Sequence, residues 1–428
     1  MIIRCLMIFL ALLLPLPAQA ATNGPVLVEA RGNRQLKMAV EIPRSSDAAP
    51  APLLAREMAE VVAFDMNMAG TVAAETRELL PFPEVIGFGA RDFSAWVAGG
   101  FDLLVRSEYI RKGEELTVEF RMYDVQTRSL MASRRYLGQQ TELRRFAHAF
   151  ADEVMLALTG ERGCFTTRVA FVSTETGNKE IAVMDWDGYN LRRVTSNGSI
   201  NLNPDFSPDG SQLIFTSYKR GNPDLYRRLL STTADVPLSH RKGLNITGTW
   251  SPDGNSIALA LSKDGDAEIY RIDRDGNNPL RLTVSPSIEV SPAWSPDGSR
   301  LAFVSDRLGS PQIFVMDSNG GNLHRLTSTG NYNVAPRWSP KGDRIAYARM
   351  QGGSFQIFTI NADGSGDTQL TSSGSNENPA WSPDGRLIAF SSKRGGPEAL
   401  YVMRADGSGQ TKVSRGKGAH SQPAWSKQ

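Results

Sequence analysis

The fold class predicted for this chain is an α/β N-terminal domain followed by an all-β six-bladed β-propeller. The blades should be four-stranded and antiparallel, with the ring closed by the C-terminal strand. Three observations carry the prediction. An aromatic-Ser-Pro-Asp-Gly pentapeptide begins at Phe206, Trp250, Trp294, Trp338 (where Lys341 replaces Asp) and Trp381, and a truncated copy begins at Trp425. These aromatics recur every ~44 residues, the period of a propeller blade. Each period then repeats one anatomy, as in Arg300–Ser305, a polar loop, Gln312–Asp317, an Asn-Gly turn and a short run ending at Thr327. Period-two alternation bounded by Gly, Asn and Asp marks antiparallel hairpins.

Taken in order, residues 1–20 read as an export signal. Arg4 opens them, Cys5 to Leu14 is an unbroken apolar run, Pro15 and Pro17 break it, and Ala18-Gln19-Ala20 forms a small-x-small cleavage site. The run is too short to span a bilayer, which takes about 20 residues. The α/β domain is expected over 21–160, a linker over 161–167 and the propeller over 168–428. Within the first, residues 26–30 and 36–42 read as strands. Residues 53–68 read as a helix behind Pro52, with Leu54, Met58, Val61 and Val62 on one stripe. Residues 101–110, 116–125 and 129–137 alternate as strands. Thr141 is the expected cap of a helix over 142–158 that stops before Gly160.

The blade count follows from the ends of the pattern. Residues 168–173 match the second strand of the repeat but lack an aromatic strand before them, while residues 422–426 form an orphan first strand. Joining the two completes a sixth blade. In Ser-Pro-Asp-Gly the Pro pre-sets the first turn corner and Gly takes the strained exit. Asp187-Gly188, Asp275-Gly276, Asn319-Gly320, Asp363-Gly364 and Asp406-Gly407 supply the positive φ of tight hairpins. The repeated Trp can wedge between neighbouring sheets, and one four-stranded unit alone could not bury both faces.

Composition excludes several functions. With 47 Lys plus Arg against 45 Asp plus Glu, the net charge of +2 offers no concentrated basic surface for nucleic acid. Cys164 is the sole cysteine after signal removal, so no internal disulfide is expected, and a small buried hydrophobe is its plainest role. No Gly-x-Ser-x-Gly occurs, and His148, His240, His324 and His420 are scattered. His148 reads as a helix-face residue, His240 and His324 as solvated link residues, and the Asp-x-Asp-Gly runs as hairpin turns rather than calcium loops. An alternative remains a propeller enzyme of lactonase or lyase type with a metal in its channel.

The domain order, the six-fold Ser-Pro-Asp-Gly ring, the signal and the hexapeptide Asp185-Trp-Asp-Gly-Tyr-Asn190 together resemble the TolB family, the periplasmic propeller proteins of the Tol–Pal system of Gram-negative bacteria. The resemblance spans 21–428. It implies a non-enzymatic periplasmic scaffold without cofactor or metal, a monomer associated with the envelope only through its partners. Those partners would be a Pal-like outer-membrane lipoprotein on the propeller and a TolA-like inner-membrane protein on the mature N-terminus, supporting outer-membrane integrity and constriction at cell division.

Topology locates a candidate face for the first partner. Links into the inner strands and loops between second and third strands emerge on one side of a propeller. They carry Asn201, Asn203, Leu244, Asn245, Thr247, Glu289, Val290, Tyr332, Asn333, Asn376, Asn378 and His420 from the links, and Arg307 and Lys393 from the loops. These loop cations, with Lys219, Arg220, Lys263 and Arg394, would meet an acidic partner surface. For the second partner, Pro25, Val26, Leu27, Val28, Glu29, Ala30 and Arg31 correspond by position to the family's docking strand, which suggests strand addition.

Overall fold

The computed structural model describes residues 35–45, 51–78 and 93–427. The export signal and the expected strand over 26–30 lie outside the described residues. The N-terminal region is built on a mixed sheet of β1 (Leu36–Glu41), β2 (Arg44–Ser45), β3 (Val72–Arg77), β4 (Leu103–Lys112), β5 (Glu115–Asp124) and β6 (Leu130–Gln139). Strand order is β3-β1-β4-β5-β6; β1 runs parallel to both its neighbours, β4 to β6 form an antiparallel meander, and β2 pairs β4. Alternation on β1 explains the layering. Met38 and Val40 face the helices α1 (Pro52–Ala69) and α3 (Leu143–Thr159), whereas Ala39 faces a second cluster with Trp96 of the short α2 (Ser94–Ala98).

Two details depart from the sequence expectation. Thr141 does not cap the long helix. It lies inside a 3₁₀ turn, Gln140–Glu142, and the reciprocal bonds are made by Gln139 and Glu142, whose carboxylate accepts from the Gln139 amide at 2.9 Å. The parallel strand β3 was not anticipated, because Val72–Arg77 carries only short apolar side chains at alternate positions.

The propeller has six blades, each of four antiparallel strands running outward from the channel. The inner strands are His420–Trp425 (blade 1), Asn201–Phe206 (blade 2), Asn245–Trp250 (blade 3), Glu289–Trp294 (blade 4), Asn333–Trp338 (blade 5) and Asn376–Trp381 (blade 6). Blade 1 is completed across the chain's length, its inner strand pairing Arg168–Ser173 antiparallel. Ser426 reinforces the seam, its hydroxyl accepting from the Arg168 amide and its own amide donating to the Arg168 carbonyl. Each inner strand has a bulge in the same place, visible as a register shift after its second residue. At the bulge, Asn203, Thr247, Ser291, Ala335, Asn378 and Gln422 all adopt φ of 51–56°.

Glycine in the hairpin between third and fourth strands is required twice over. Gly276 has φ of 89°, and a Cβ there would lie 2.1 Å from the Leu238 carbonyl oxygen of the preceding blade.

The N-terminal domain is not tethered loosely. It sits on the Ser-Pro-Asp-Gly side of the ring, and a continuous apolar core runs from Val62, Phe150 and Val154 through Phe165 and Trp186 into Leu387 and Trp425. Trp186 stacks with Phe64 at 5.4 Å on one side and with Trp425 at 6.4 Å on the other. At the margin, Arg386 reaches Glu161 at 3.1 Å and Arg404 donates to the Asn67 carbonyl at 2.6 Å.

Candidate functional site

The first residue of every inner strand is buried: Asn201, Asn245, Glu289, Asn333, Asn376 and His420 are withdrawn from the surface that topology assigned to them. The cause is local. In blades 1 to 5 the backbone amide of this residue donates to a carbonyl just before the third strand of the preceding blade, for instance Asn245 to Pro223 at 3.0 Å and His420 to Glu398 at 2.7 Å. The side chain then lies in the seam between blades and must be hydrogen-bonded there. Asn333 donates to Gln312 Oε1 at 2.7 Å and accepts from Arg349 Nε at 2.9 Å; Asn376 repeats this with Gln356 and Arg394. Asn201 donates to Glu180, and Asn245 accepts from Ser239 and from the Arg241 amide. His420 packs edge-on against Phe171, with its Nε2 3.6 Å from Glu175. Burial lowers its pKa against the opposing pull of Glu175. These residues staple blades together.

The cations on this side are also largely engaged. Arg307 donates to Glu289 at 2.6 Å and lies over the Phe314 ring; burial raises the Glu289 pKa and Arg307 opposes that shift. Lys219 bonds Asp235 at 2.6 Å, Lys263 pairs with Asp264, and Arg394 with Gln410. Lys393 is exposed, with Glu377 3.9 Å away. The face is therefore less cationic than the sequence suggested. Asn203, Thr247 and Asn378 occupy the bulge around the channel, and Val290 is half-buried beside it.

What the side presents instead is apolar. The residue immediately before each inner strand points outward, because successive strand side chains alternate and its neighbour points into the seam. In blades 2 to 5 this residue is Ile200 (46% exposed), Leu244 (36%), Ile288 (54%) and Tyr332 (41%), and Leu308 stands out nearby at 60%. The carbonyls of Ile200, Leu244 and Tyr332 are held by the amides of Tyr218, Ser262 and Met350, so the arc rests on ordered backbone. Leu244 and Tyr332 were singled out from sequence and Ile200 and Ile288 were not. The recurrence of apolar residues at about 44-residue spacing was the available signal.

His148 differs most from its sequence reading. It lies on α3, yet it is buried in the interdomain seam, with Nδ1 2.7 Å from Asp65 Oδ2 and Nε2 3.3 Å from Asp187 Oδ2, the latter an ion-pair distance without hydrogen-bond alignment. Arg144 also pairs with Asp187, reaches Glu57 at 2.9 Å and stacks on Tyr189. Burial disfavours charge on His148, but Asp65 and Asp187 outweigh it and hold the imidazole up at about 10. Burial likewise opposes ionisation of Asp187, and His148 and Arg144 hold it down at about 2. Burial raises Asp65. Asp187 and Tyr189 belong to the hexapeptide noted above, which thus latches the two domains. His240 and His324 are exposed. Cys164 is buried and free, its thiol pKa raised by burial.

Residues 25–31 lie outside the described residues. Among the described residues no group of three or more His, Cys, Asp and Glu could hold a metal ion, and no helix is long and apolar enough to cross a membrane.

Residues 155–428 match the family model for the TolB beta propeller domain, and residues 25–131 match that for the TolB amino-terminal domain. Over 186 residues, 44% of this chain, the sequence is 53% identical to the Tol-Pal system protein TolB of Geobacter sulfurreducens, of which it covers 43%. The counterpart from Geobacter metallireducens is 54% identical over 186 residues, again 43% of that relative. The chain thus spans less than half the length of these curated relatives in the matched stretch. The crystal structure of TolB from Acinetobacter baumannii superposes with a TM-score of 0.81 at 25% identity, over 92% of this chain and 98% of that one.

Proposed function

The chain belongs to the TolB family, and from that premise we propose that it is a non-enzymatic periplasmic scaffold of a Tol–Pal envelope system. Its propeller binds a Pal-like peptidoglycan-associated lipoprotein, and its N-terminal segment, Pro25 to Arg31, binds a TolA-like inner-membrane protein. The two contacts support outer-membrane integrity and constriction at division. The observation that carries the propeller half of this reading is the arc of Ile200, Leu244, Ile288 and Tyr332. Four exposed apolar side chains at equivalent places on four successive blades, on ordered backbone beside the mostly polar bulge residues of the channel, supply the apolar contact area that a protein interface needs. Such an arc on a soluble surface is otherwise a liability.

The test is a calorimetric titration of the full chain with the soluble domain of the Pal-like lipoprotein from the same envelope. Ile288→Asp is expected to weaken binding at least ~10-fold, since burying an unpaired carboxylate costs more than the ~1.4 kcal/mol that a decade represents. Unchanged affinity in both Ile288→Asp and Tyr332→Ala would move the partner to another surface. Deleting residues 21–31 is expected to abolish capture of the TolA-like protein and leave the lipoprotein titration intact.

A further inference from the structure

The channel has a charged feature that the scaffold role does not use. The bulges narrow one end to a pocket of about 30 Å³, and beyond it a cavity of about 460 Å³ opens toward the Ser-Pro-Asp-Gly turns, on the same side as the N-terminal domain. The fifth residue of each inner strand supplies its floor. Four of the six blades place Thr249, Ala293, Ala380 and Ala424 there, whereas blade 2 places Asp205 and blade 5 places Arg337. Blades 2 and 5 are three apart in a ring of six, so one acid and one base face each other across the lumen.

They do not meet. No ion pair within 4.0 Å joins them among the described residues, although each bears electrostatically on the other. Asp205 Oδ2 accepts from the Trp250 amide at 2.8 Å and from the Thr249 hydroxyl at 3.2 Å. Arg337 donates from Nη1 only to its own neighbour's carbonyl, Pro336, at 3.0 Å. Its remaining guanidinium donors have no acceptor among the described residues. Half-buried charges that form no ion pair are costly, and a flexible arginine would ordinarily close on an available carboxylate. Walls of Trp and Pro from the repeated pentapeptides complete the cavity, with exposed Lys427 at its rim.

We propose that this cavity binds a small zwitterion with an apolar side chain, an amino acid or short peptide, its carboxylate on the Arg337 guanidinium and its ammonium on the Asp205 carboxylate. A bidentate guanidinium suits a carboxylate. An ammonium suits a carboxylate whose second oxygen has no donor among the described residues, and an apolar body fits aromatic and proline walls. A simple anion would meet the opposing charge of Asp205. A bare cation would have one carboxylate and face Arg337. The volume lies in the range of small-ligand sites. The site lies apart from the apolar arc on the opposite side of the ring and does not depend on which partner that arc takes.

The experiment titrates the full chain with L-phenylalanine and with L-alanyl-L-phenylalanine, read by tryptophan fluorescence and calorimetry. N-acetyl-L-phenylalanine lacks the ammonium and L-phenylalaninamide lacks the carboxylate; each is expected to bind at least 10-fold more weakly than the better zwitterion. Whether the amino acid or the dipeptide binds tighter tells a free metabolite from a peptide end. Arg337→Gln should cost the zwitterion at least 10-fold and leave the amide unchanged; Asp205→Asn should do the converse with the N-acetyl compound. Should a variant fail to fold, the four ligands on the unsubstituted chain decide alone. No saturable binding of either zwitterion, or equal binding of zwitterion and blocked analogues, would overturn the proposal.

Discussion

Replacing Asp187 by Asn tests whether charge holds the two domains together. The change keeps the side chain's shape and removes a carboxylate that is only 2% exposed and faces both Arg144 and His148. Two routes give its size. Lowering the Asp187 pKa from 3.8 to about 2 corresponds to about 2 kcal/mol at ~1.4 kcal/mol per unit. That counts only the carboxylate's own gain. The neutral amide would also strand two buried cations, and breaking a buried pair typically costs about 3–5 kcal/mol. Glu57 and Asp65 retain part of the compensation, so a loss of about 3 kcal/mol is expected. Urea unfolding followed by tryptophan fluorescence measures it, with Trp186 reporting from the seam. The same experiment on Arg144→Met and on the double variant closes a thermodynamic cycle, in which a coupling of at least about 1 kcal/mol is expected for groups in direct contact. A loss under about 0.5 kcal/mol for Asp187→Asn, the level of an ordinary surface change, would refute the latch. Additive single losses would show that Arg144 and Asp187 act separately.

The remaining expectations concern pH and the ring. His148 is raised above its ordinary value of 6.5, so its contribution is full below that pH and is lost as pH rises through about 10; Asp65, raised by burial from 3.8 to about 7, loses its contribution earlier, as pH rises through that range. Asp187 is depressed, so its contribution is present above 3.8 and is lost as pH falls through about 2. Thermal midpoints should therefore decline toward both extremes, and His148→Gln should flatten the alkaline limb; an unchanged limb would assign it to other groups. Deleting residues 421–428 removes most of the inner strand of blade 1 and with it Trp425, whose truncation alone is worth about 3–5 kcal/mol. A thermal midpoint equal to that of the full chain would contradict closure by the C-terminal strand. Gly276→Ala forces a side chain to φ of 89° and onto a neighbouring carbonyl, so a loss of at least about 1–3 kcal/mol in denaturant unfolding is expected.

The architecture was legible because the repeat is nearly periodic. An aromatic that recurs at one place in each blade, Trp in five and Phe206 in the sixth, and is followed in five of them by a turn of one type, can be counted without knowing any contact. Burial between blades was not legible in the same way. Asn201 and Asn245 look like link residues, since Asn favours turns, and nothing local says that the preceding blade supplies a carbonyl to fix them in a seam. Once that bond exists, alternation sends Ile200 and Ile288 outward, so in those blades the buried polar residue stood out in the sequence and the exposed apolar one beside it was missed. The domain contact was hidden for another reason. Asp187 satisfies the rule for a hairpin corner, and Asp187-Gly188 does form the turn, so its second task with His148 left no excess signal in the sequence.

A repeat also shows function by its exceptions. Where six blades use equivalent positions for the same structural work, the residue is set by packing, and Asn, Glu and His at the first inner-strand position are variants of one seam-filling solution. The fifth position is different. Thr and Ala satisfy it in four blades, so neither Asp205 nor Arg337 is needed to build a blade, and holding the two apart without an ion pair costs stability. Departures of that kind mark sites that fold requirements do not explain. The same reasoning ranks the two sides of the ring. On one, the exposed arc of Ile200, Leu244, Ile288 and Tyr332 departs from the polar surface expected of a monomer. On the other, two facing charges stand where the equivalent residues of the remaining blades are Thr and Ala. Each exception is specific to certain blades, so the near-symmetric ring is asymmetric at both of its ends.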